Sequence, residues 1–177
     1  MKLKEKRFTG STSNEVTVRE TENRKMARKA AAEGFVLLQN DGDLLPLKSK
    51  GKIGLYGAGA VKTIKGGTGS GDVNERDCVT IRQGMEQAGF DITSSEWLDS
   101  YLDIYTQARQ TWKDEILRKM KQVNGNFFSA YSTTQFFMPC GNVIDEAAAK
   151  NDGADTAVFV LARIAGENAD RKDIEGD

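Results

Sequence analysis

The strongest constraint on the fold is the alternation of short apolar runs with stretches of helical spacing. The run Lys52–Gly57 is mostly apolar and ends in glycine, and the run Thr156–Leu161 is almost entirely apolar, so both predict buried strands. Phe90–Thr93 predicts a brief strand between them. Because buried apolar strands that alternate with helices form parallel sheets, the sequence predicts an α/β fold, with a mainly parallel sheet and helices on both faces.

Helix signals occupy the stretches between these runs. Thr17 and Glu20 have the spacing of a capping box, which predicts the start of a helix. Small and apolar residues then recur every three or four positions, until Asn40–Gly42 ends the helix: Met26, Ala30, Gly34, Leu37 and Leu38. A further helix is predicted from about Asp77 to Gly89, a glycine suited to the position after a helix end.

A long helix follows, capped by Ser94 or Ser95. One side of it carries most of its large residues: Trp97, Tyr101, Tyr105, Ala108, Trp112 and Leu117. Residues 123–140 are rich in aromatic residues among Gly, Asn, Ser and Thr and predict irregular structure, whereas residues 142–150 predict a short helix.

These elements divide the chain into two regions. Residues 1–16 are polar and predict an N-terminal arm or linker, and residues 17–177 predict one α/β domain with a helical and aromatic insertion at about 95–150. The sequence stops soon after its clearest strand. We therefore expect the sheet to be incomplete and the last strand to be left at an edge, which favours self-association.

Composition excludes several classes of function. Lys and Arg number 25 against 26 Asp and Glu, a balance that argues against a nucleic-acid-binding module. Histidine is absent, which excludes Ser-His-Asp and Cys-His catalysis and His-based zinc sites. Acid and base chemistry must therefore fall to carboxylates, Lys or Tyr. The two cysteines, Cys78 and Cys140, are interpreted as reduced core thiols.

Nothing in the sequence predicts a membrane or export segment. No apolar run approaches the roughly 18–20 residues of a membrane span. The basic start, Met1–Arg7, is not followed by the apolar stretch of a secretory signal. We expect a soluble, cytoplasmic protein.

Two glycine-rich segments follow the first strand. Gly57-Ala58-Gly59 begins like the dinucleotide fingerprint GxGxxG, but Lys62 stands at the third glycine position and no helix is expected to open directly. A tight turn at the strand end is favoured over a nucleotide site. The second segment, Lys65–Asp72, is either a flexible loop or a loop whose amides, with Ser70 or Asp72, reach a ligand at the carboxyl end of the strand.

Two later segments also allow two interpretations each. Arg163–Arg171 crowds charged residues directly after an apolar strand, and is either a solvated strand end or a carboxylate presented on a loop between two arginines. The aromatic residues of 127–137 favour a core or an interface lid over a stacking platform for sugar rings or bases.

Three segments resemble glycoside hydrolase family 3. Ala30–Leu47 is similar to the opening of the family's α/β sandwich domain, and Lys65–Asn74 resembles the glycine loop of its bacterial β-glucosidase branch. Arg163–Lys172 resembles that branch's segment R-[IL]-[SA]-G-E-G-x-D-R-K, with Asn168 in place of the usual glycine. The three occur in the family's order.

The resemblance implies a role for the chain in a retaining, exo-acting β-glucosidase. In such enzymes a (β/α)₈ barrel carries the nucleophilic Asp, and the sandwich domain supplies the acid/base carboxylate, which falls on Glu167. The substrate would be a β-linked glucoside or short oligosaccharide, with no metal or organic cofactor. The same motifs imply substrate-binding residues on the two loops: Lys65, Gly69, Ser70, Asp72, Asp170 and Arg171.

The motifs begin near the N-terminus, and nothing in the chain resembles the barrel. We therefore expect the sandwich domain to precede the barrel in the parent protein, and this chain alone to be inactive. Two other functions stay open. One is a noncatalytic carbohydrate-binding or assembly domain, and the other is a nucleotide-binding Rossmann-like module.

Overall fold

The fold is built on a parallel sheet of three strands in the computed structural model, which describes residues 14–66, 71 and 77–165. The strands are β1 (Lys52–Tyr56), β2 (Asp91–Ile92) and β3 (Ala157–Phe159), in the spatial order β2-β1-β3. The helices are α1 (Val18–Glu33), α2 (Ala58–Val61), α3 (Ile81–Gln87), α4 (Ser95–Gln122), α5 (Phe127–Ser132) and α6 (Glu146–Asn151). The predicted parallel α/β architecture is confirmed.

The central strand β1 holds the core of the sheet. Ile53 pairs with Ile92 of β2, while Tyr56 pairs with Phe159 of β3. Ile53 and Leu55 are almost fully buried, at 1% and 0% exposure. A parallel arrangement requires crossovers, and helices α3 and α4 lie in the connections between these strands.

The Ser94 side chain bonds to the backbone of β1 just beyond the last residue of β2. Its hydroxyl donates to the Leu55 carbonyl at 2.5 Å and accepts the Leu55 N–H at 2.8 Å. Ser94 was predicted as a helix cap, and it does occupy that position of α4, but its side chain makes no capping bond. The hydroxyl bonds instead to the N–H and carbonyl of Leu55. These buried groups need a partner there, because β2 has already ended at Ile92.

The last strand lies at an edge of the described sheet, as expected, so the prediction from its apolar composition that it is buried is wrong. β3 lies at one edge of the described sheet, and Phe159 and Leu161 are 60% and 71% exposed. Only β1 pairs with it among the described residues. Apolar composition therefore indicated the strand correctly but not its surroundings.

Helix α3 shows both of its end signals. It begins at Ile81 rather than near Asp77, because Thr80 and Gln83 form a capping box there. At its other end Gly89 has a φ of +94°, as predicted for the position after the helix. The N–H groups of Gly89 and Phe90 bond to the Glu86 and Met85 carbonyls, which is the Schellman pattern.

Helices α4 and α5 correct two further predictions. In α4 the buried residue of the last turns is Ile116, whereas Leu117 is 53% exposed, because a step of four from Trp112 keeps the same face. The stretch predicted to be irregular contains α5, whose first turn is capped by the side chain of Asn126 through the Ser129 N–H.

A polar contact links the residue after β2 to the turn before β3. The Thr93 hydroxyl donates to Asp152 Oδ2 at 2.5 Å, and the Ala154 N–H donates to Asp152 Oδ1 at 2.8 Å. These two donors favour the charged carboxylate and hold the pKa of Asp152 below its usual value.

The chain forms two compact units, Met1–Leu47 and Lys48–Asp177. In the first, the predicted Thr17–Glu20 capping box is present, with bonds of 3.2 and 2.7 Å. α1 ends at Glu33 and not at Asn40, because Gly34, a poor helix former, caps it. No residue of α1 is buried.

The structure corrects the interpretation of the two cysteines as core residues. Cys140 is exposed and Cys78 half-buried, both with free thiols, so neither is a core residue. Within the described ranges, no helix has the length and apolar character to cross a membrane. In the same part of the chain, no group of three or more His, Cys, Asp or Glu residues could hold a metal ion.

Candidate functional site

The candidate site lies at the carboxyl end of the sheet, where β1 and β3 finish side by side. The Val160 N–H donates to the Tyr56 carbonyl at 2.8 Å, and the Gly59 N–H donates to the Val160 carbonyl at 3.1 Å. These bonds bring the segment after β1 next to the segment after β3. Open α/β sheets bind ligands at this end.

Gly57 makes this close approach possible. Its φ is +91°, and a Cβ there would collide with the Val160 carbonyl oxygen. The chain then enters α2 directly, so the prediction that no helix opens here is wrong. A Cβ on Gly59 would lie 2.6 Å from Val160 Cγ1, so Gly59 is covered by the segment after β3. This arrangement supports the strand-end turn over a nucleotide site.

A cavity of about 470 Å³ opens beside these strand ends. Its walls come from Gly57 and Ala58 after β1, from Trp97 of α4, and from two later segments, 137–142 and 159–164. Most of these residues are apolar. Arg163, the first residue of the charged motif, is among them, so the motif starts at the cavity wall.

The segment 133–142, which has no helix or strand of its own, is tied down along α4. Side chains of α4 donate hydrogen bonds to its backbone carbonyls: Trp112 to Thr134 at 2.7 Å, Tyr101 to Pro139 at 3.2 Å, Trp97 to Asn142 at 3.0 Å and Lys119 to Thr133 at 2.8 Å. These bonds satisfy carbonyls that a loop would otherwise leave to water, and they fix the segment as a cavity wall.

Aromatic packing accompanies these bonds. Trp97 and Tyr101 stack with ring centroids 6.0 Å apart, and a Cβ on Gly141 would lie 2.5 Å from Trp97 Cζ2. Tyr101 is 1% exposed, and burial, aided by Tyr105 and Cys140, raises its pKa to about 12. The phenol is therefore neutral over the physiological range and acts as a hydrogen-bond donor.

The aromatic segment combines packed and exposed rings. Phe136 packs edge-on against Tyr105 and Trp112, with Arg109 lying 4.8 Å from its ring centre. Phe128 and Phe137, in contrast, are 77% and 60% exposed. Phe136 is thus half-buried against α4, but the other rings of the segment are exposed, so the interpretation of the segment as core is wrong for most of it.

Of the predicted site residues, the structure describes Lys65. Lys65 lies on the loop after α2, where Gly66 and Gly71 approach so closely that a Cβ on Gly71 would collide with the Gly66 carbonyl. These two glycines therefore lie directly against each other. The other predicted site residues lie outside the described residues: Gly69, Ser70, Asp72, Glu167, Asp170 and Arg171.

One contact at the site was not anticipated from the sequence. The side-chain amide of Gln135 donates to the Ala165 carbonyl at 2.7 Å, across 30 positions of the chain. Nothing in the local sequence marks Gln135.

Comparison with known proteins adds to this geometry. The sequence matches the model of the glycosyl hydrolase family 3 C-terminal domain over residues 35–177. It is similar to beta-glucosidase A of Butyrivibrio fibrisolvens, with 30% identity over 84% of this chain and 16% of that protein. Thermostable beta-glucosidase B of Acetivibrio thermocellus is 38% identical over 44% of this chain and 10% of that protein.

A solved structure gives the same result. Beta-glucosidase 3B from Thermotoga neapolitana, determined in complex with glucose, superposes with a TM-score of 0.62 and 34% identity. The superposition covers 89% of this chain and 20% of that structure. This chain thus spans no more than a fifth of the length of any of these relatives.

Proposed function

The chain belongs to glycosyl hydrolase family 3, and on that membership we propose that it supplies the acid/base carboxylate of a retaining β-glucosidase. Glu167 is that carboxylate. The observation that carries the proposal is the position of the Arg163–Lys172 motif, which follows β3 and begins at the wall of the cavity at the sheet's carboxyl end.

The proposed reaction is a double displacement. An aspartate from a barrel domain, outside these 177 residues, attacks the anomeric carbon while Glu167 gives its proton to the glycosidic oxygen. The bond between that carbon and the leaving oxygen breaks, and a glycosyl ester forms. Glu167 then accepts a proton from water, which attacks the same carbon and frees the aspartate. The two carboxyls of such a pair stand about 5–5.5 Å apart.

The substrate in this proposal is a β-linked glucoside or short oligosaccharide. Polar groups of the two loops would hold the sugar: Lys65, Gly69, Ser70, Asp72, Asp170 and Arg171. The 177-residue chain by itself should show no turnover of an aryl β-glucoside, because one carboxylate cannot perform both roles. Turnover by the pure chain that persists after contaminant controls would contradict the need for a barrel domain.

The test of Glu167 uses the active protein with its barrel domain present. Glu167→Gln should slow hydrolysis of glucosides with poor leaving groups by about 10²–10⁴-fold, the usual value of general acid catalysis. An activated aryl glucoside departs without that proton, so its first step should be nearly unaffected. Azide should then replace water in the second step and give a β-glucosyl azide, because both displacements invert the anomeric carbon.

Asp170→Asn is the matched control, since Asp170 lies on the same motif three positions later. It should show neither the dependence on the leaving group nor the rescue by azide. If both effects follow Asp170 and spare Glu167, the assignment of the acid/base residue is wrong.

The exposed rings of Phe128 and Phe137 favour a second candidate, a noncatalytic carbohydrate-binding domain. Sugar rings stack on such faces. Titration calorimetry with cello-oligosaccharides separates the two functions. The second function would be favoured if Phe128→Ala abolishes binding and if the protein shows no turnover with a barrel domain present.

A further inference from the structure

The contact between Gln135 and Ala165 joins the 133–142 segment to the loop of the charged motif. Gln135 Nε2 donates to the Ala165 carbonyl at 2.7 Å. Ala165 is two positions before Glu167 in the sequence. The bond therefore acts on the backbone immediately before the proposed acid/base residue.

The residues on either side of Gln135 hold its backbone in place. Thr134 is 8% exposed, its carbonyl accepts the Trp112 indole N–H at 2.7 Å, and its hydroxyl donates to the Ala130 carbonyl at 2.7 Å. Phe136 packs edge-on against Trp112, with ring centres 5.8 Å apart. Gln135 thus reaches Ala165 from an anchored position, although its own side chain is exposed.

We infer that Gln135 is a positioning residue for the acid/base loop: by fixing the Ala165 carbonyl, it sets the point from which the chain runs on to Glu167. The inference rests on the proposed role of Glu167. A general acid must lie within hydrogen-bond reach of the leaving oxygen, and a misplacement of about 1 Å can cost about 10²-fold in rate. The bond from Gln135 is the described contact nearest to that residue in sequence.

Hydrogen exchange in the 177-residue chain tests the contact without any catalysis. Gln135→Met keeps the length of the side chain and removes the donor. The amides of residues 161–165, which end at the contact, should exchange about 2- to 10-fold faster in this variant, as expected for the loss of one hydrogen bond. Gln110→Met is the matched control, because Gln110 is an exposed glutamine whose amide bonds within α4, to Asp114 at 2.9 Å. Unchanged exchange in Gln135→Met would overturn the inference.

Kinetics in the active protein, with the barrel domain present, test the positioning role. Gln135→Met should lower kcat about 10-fold for a glucoside with a poor leaving group, and leave both KM and the first step with an activated aryl glucoside nearly unchanged. Loss of stability alone would lower both rates together. If Glu167→Gln shows the dependence on the leaving group and Gln135→Met behaves like Gln110→Met, this inference fails and the proposed function stands. If Glu167→Gln lacks that dependence, the proposed function fails and the positioning role fails with it.

Discussion

Gly57 occupies a backbone position that a residue with a side chain would strain. Its φ of +91° and its contact with the Val160 carbonyl both exclude a Cβ. Gly57→Ala should therefore destabilise the domain by about 2 kcal/mol or more, from backbone strain and steric overlap together. Urea unfolding, followed by circular dichroism, measures the change.

Gly84 provides the matched control for this substitution. It lies inside α3, and a Cβ there meets nothing within 4 Å. Gly84→Ala should stabilise the domain by about 0.5–1 kcal/mol, because alanine is the better helix former. Equal effects of the two alanines would show that the Val160 contact does not constrain Gly57.

Ionisation of Tyr101 should make the free energy of unfolding depend on pH in the alkaline range. Its pKa is raised to about 12 from an ordinary value of 10, so the folded state favours the neutral phenol. The stabilisation is complete below pH 10 and is lost as pH rises from 10 to 12, because the unfolded chain ionises first. Tyr101→Phe should flatten the fall in unfolding free energy over that window. An unchanged slope would contradict the assignment.

Single residues were predictable where the signal is local. The Thr17–Glu20 capping box and Gly89 depend on neighbours within four positions, and both are confirmed. Ser94 was predicted as a cap, but its hydroxyl serves Leu55, which lies 39 positions away. A capping pattern cannot reveal this, because the same hydroxyl satisfies either partner.

At the level of the elements, the side chain of Ser94 stabilises the junction of β2 and α4 against β1. Ser94 satisfies both the N–H and the carbonyl of Leu55 in a buried position. Ser94→Ala should cost about 1–3 kcal/mol, since it leaves these groups without partners. Thermal unfolding monitored by calorimetry gives the difference.

Ser132→Ala is the comparison for this prediction. Ser132 is exposed at the end of α5, and its hydroxyl bonds only weakly, at 3.3 Å, to the Ser129 carbonyl. It should change stability by less than about 0.5 kcal/mol. A Ser94→Ala variant as stable as Ser132→Ala would mean that water replaces the lost hydroxyl.

Strands were easier to predict than their environment. β1 and β2 were found by composition, and β1 is buried as expected. β3 lies at an edge, as expected, but it is not buried as its apolar sequence predicted, because burial depends on which strands flank it and not on its own sequence. α5 was missed because glycine and asparagine around it indicate turns, whereas Asn126 in fact caps the helix.

For the molecule as a whole, the edge at β3 predicts self-association. Phe159 and Leu161 are exposed next to a strand that pairs on one side only within the described sheet. We expect concentration-dependent dimers in sedimentation velocity, weakened by Phe159→Lys, because a charge on an edge strand opposes pairing. Phe128→Lys, at an even more exposed ring on α5, should leave the dimer intact. A monomer at all concentrations would contradict this.

The candidate site was predictable only in part. The two loop motifs follow β1 and β3 in sequence, so the parallel order predicts that both begin at the carboxyl end of the sheet. The wall made by residues 137–142 did not follow, since its position depends on hydrogen bonds from Trp97 and Tyr101 to carbonyls about 40 residues later. No local pattern encodes such pairs.

The strand order also determines when the sheet can form during synthesis. Tyr56 of β1 pairs with Phe159 of β3, so the ribosome must add about 100 residues between the two partners. At a synthesis rate of roughly 5–20 residues per second, one edge of β1 stays unpaired for about 5–20 s until β3 is made, whereas β2 is made much sooner. The nascent chain thus carries a half-finished sheet, and chaperones that bind extended apolar segments have that interval in which to act on β1.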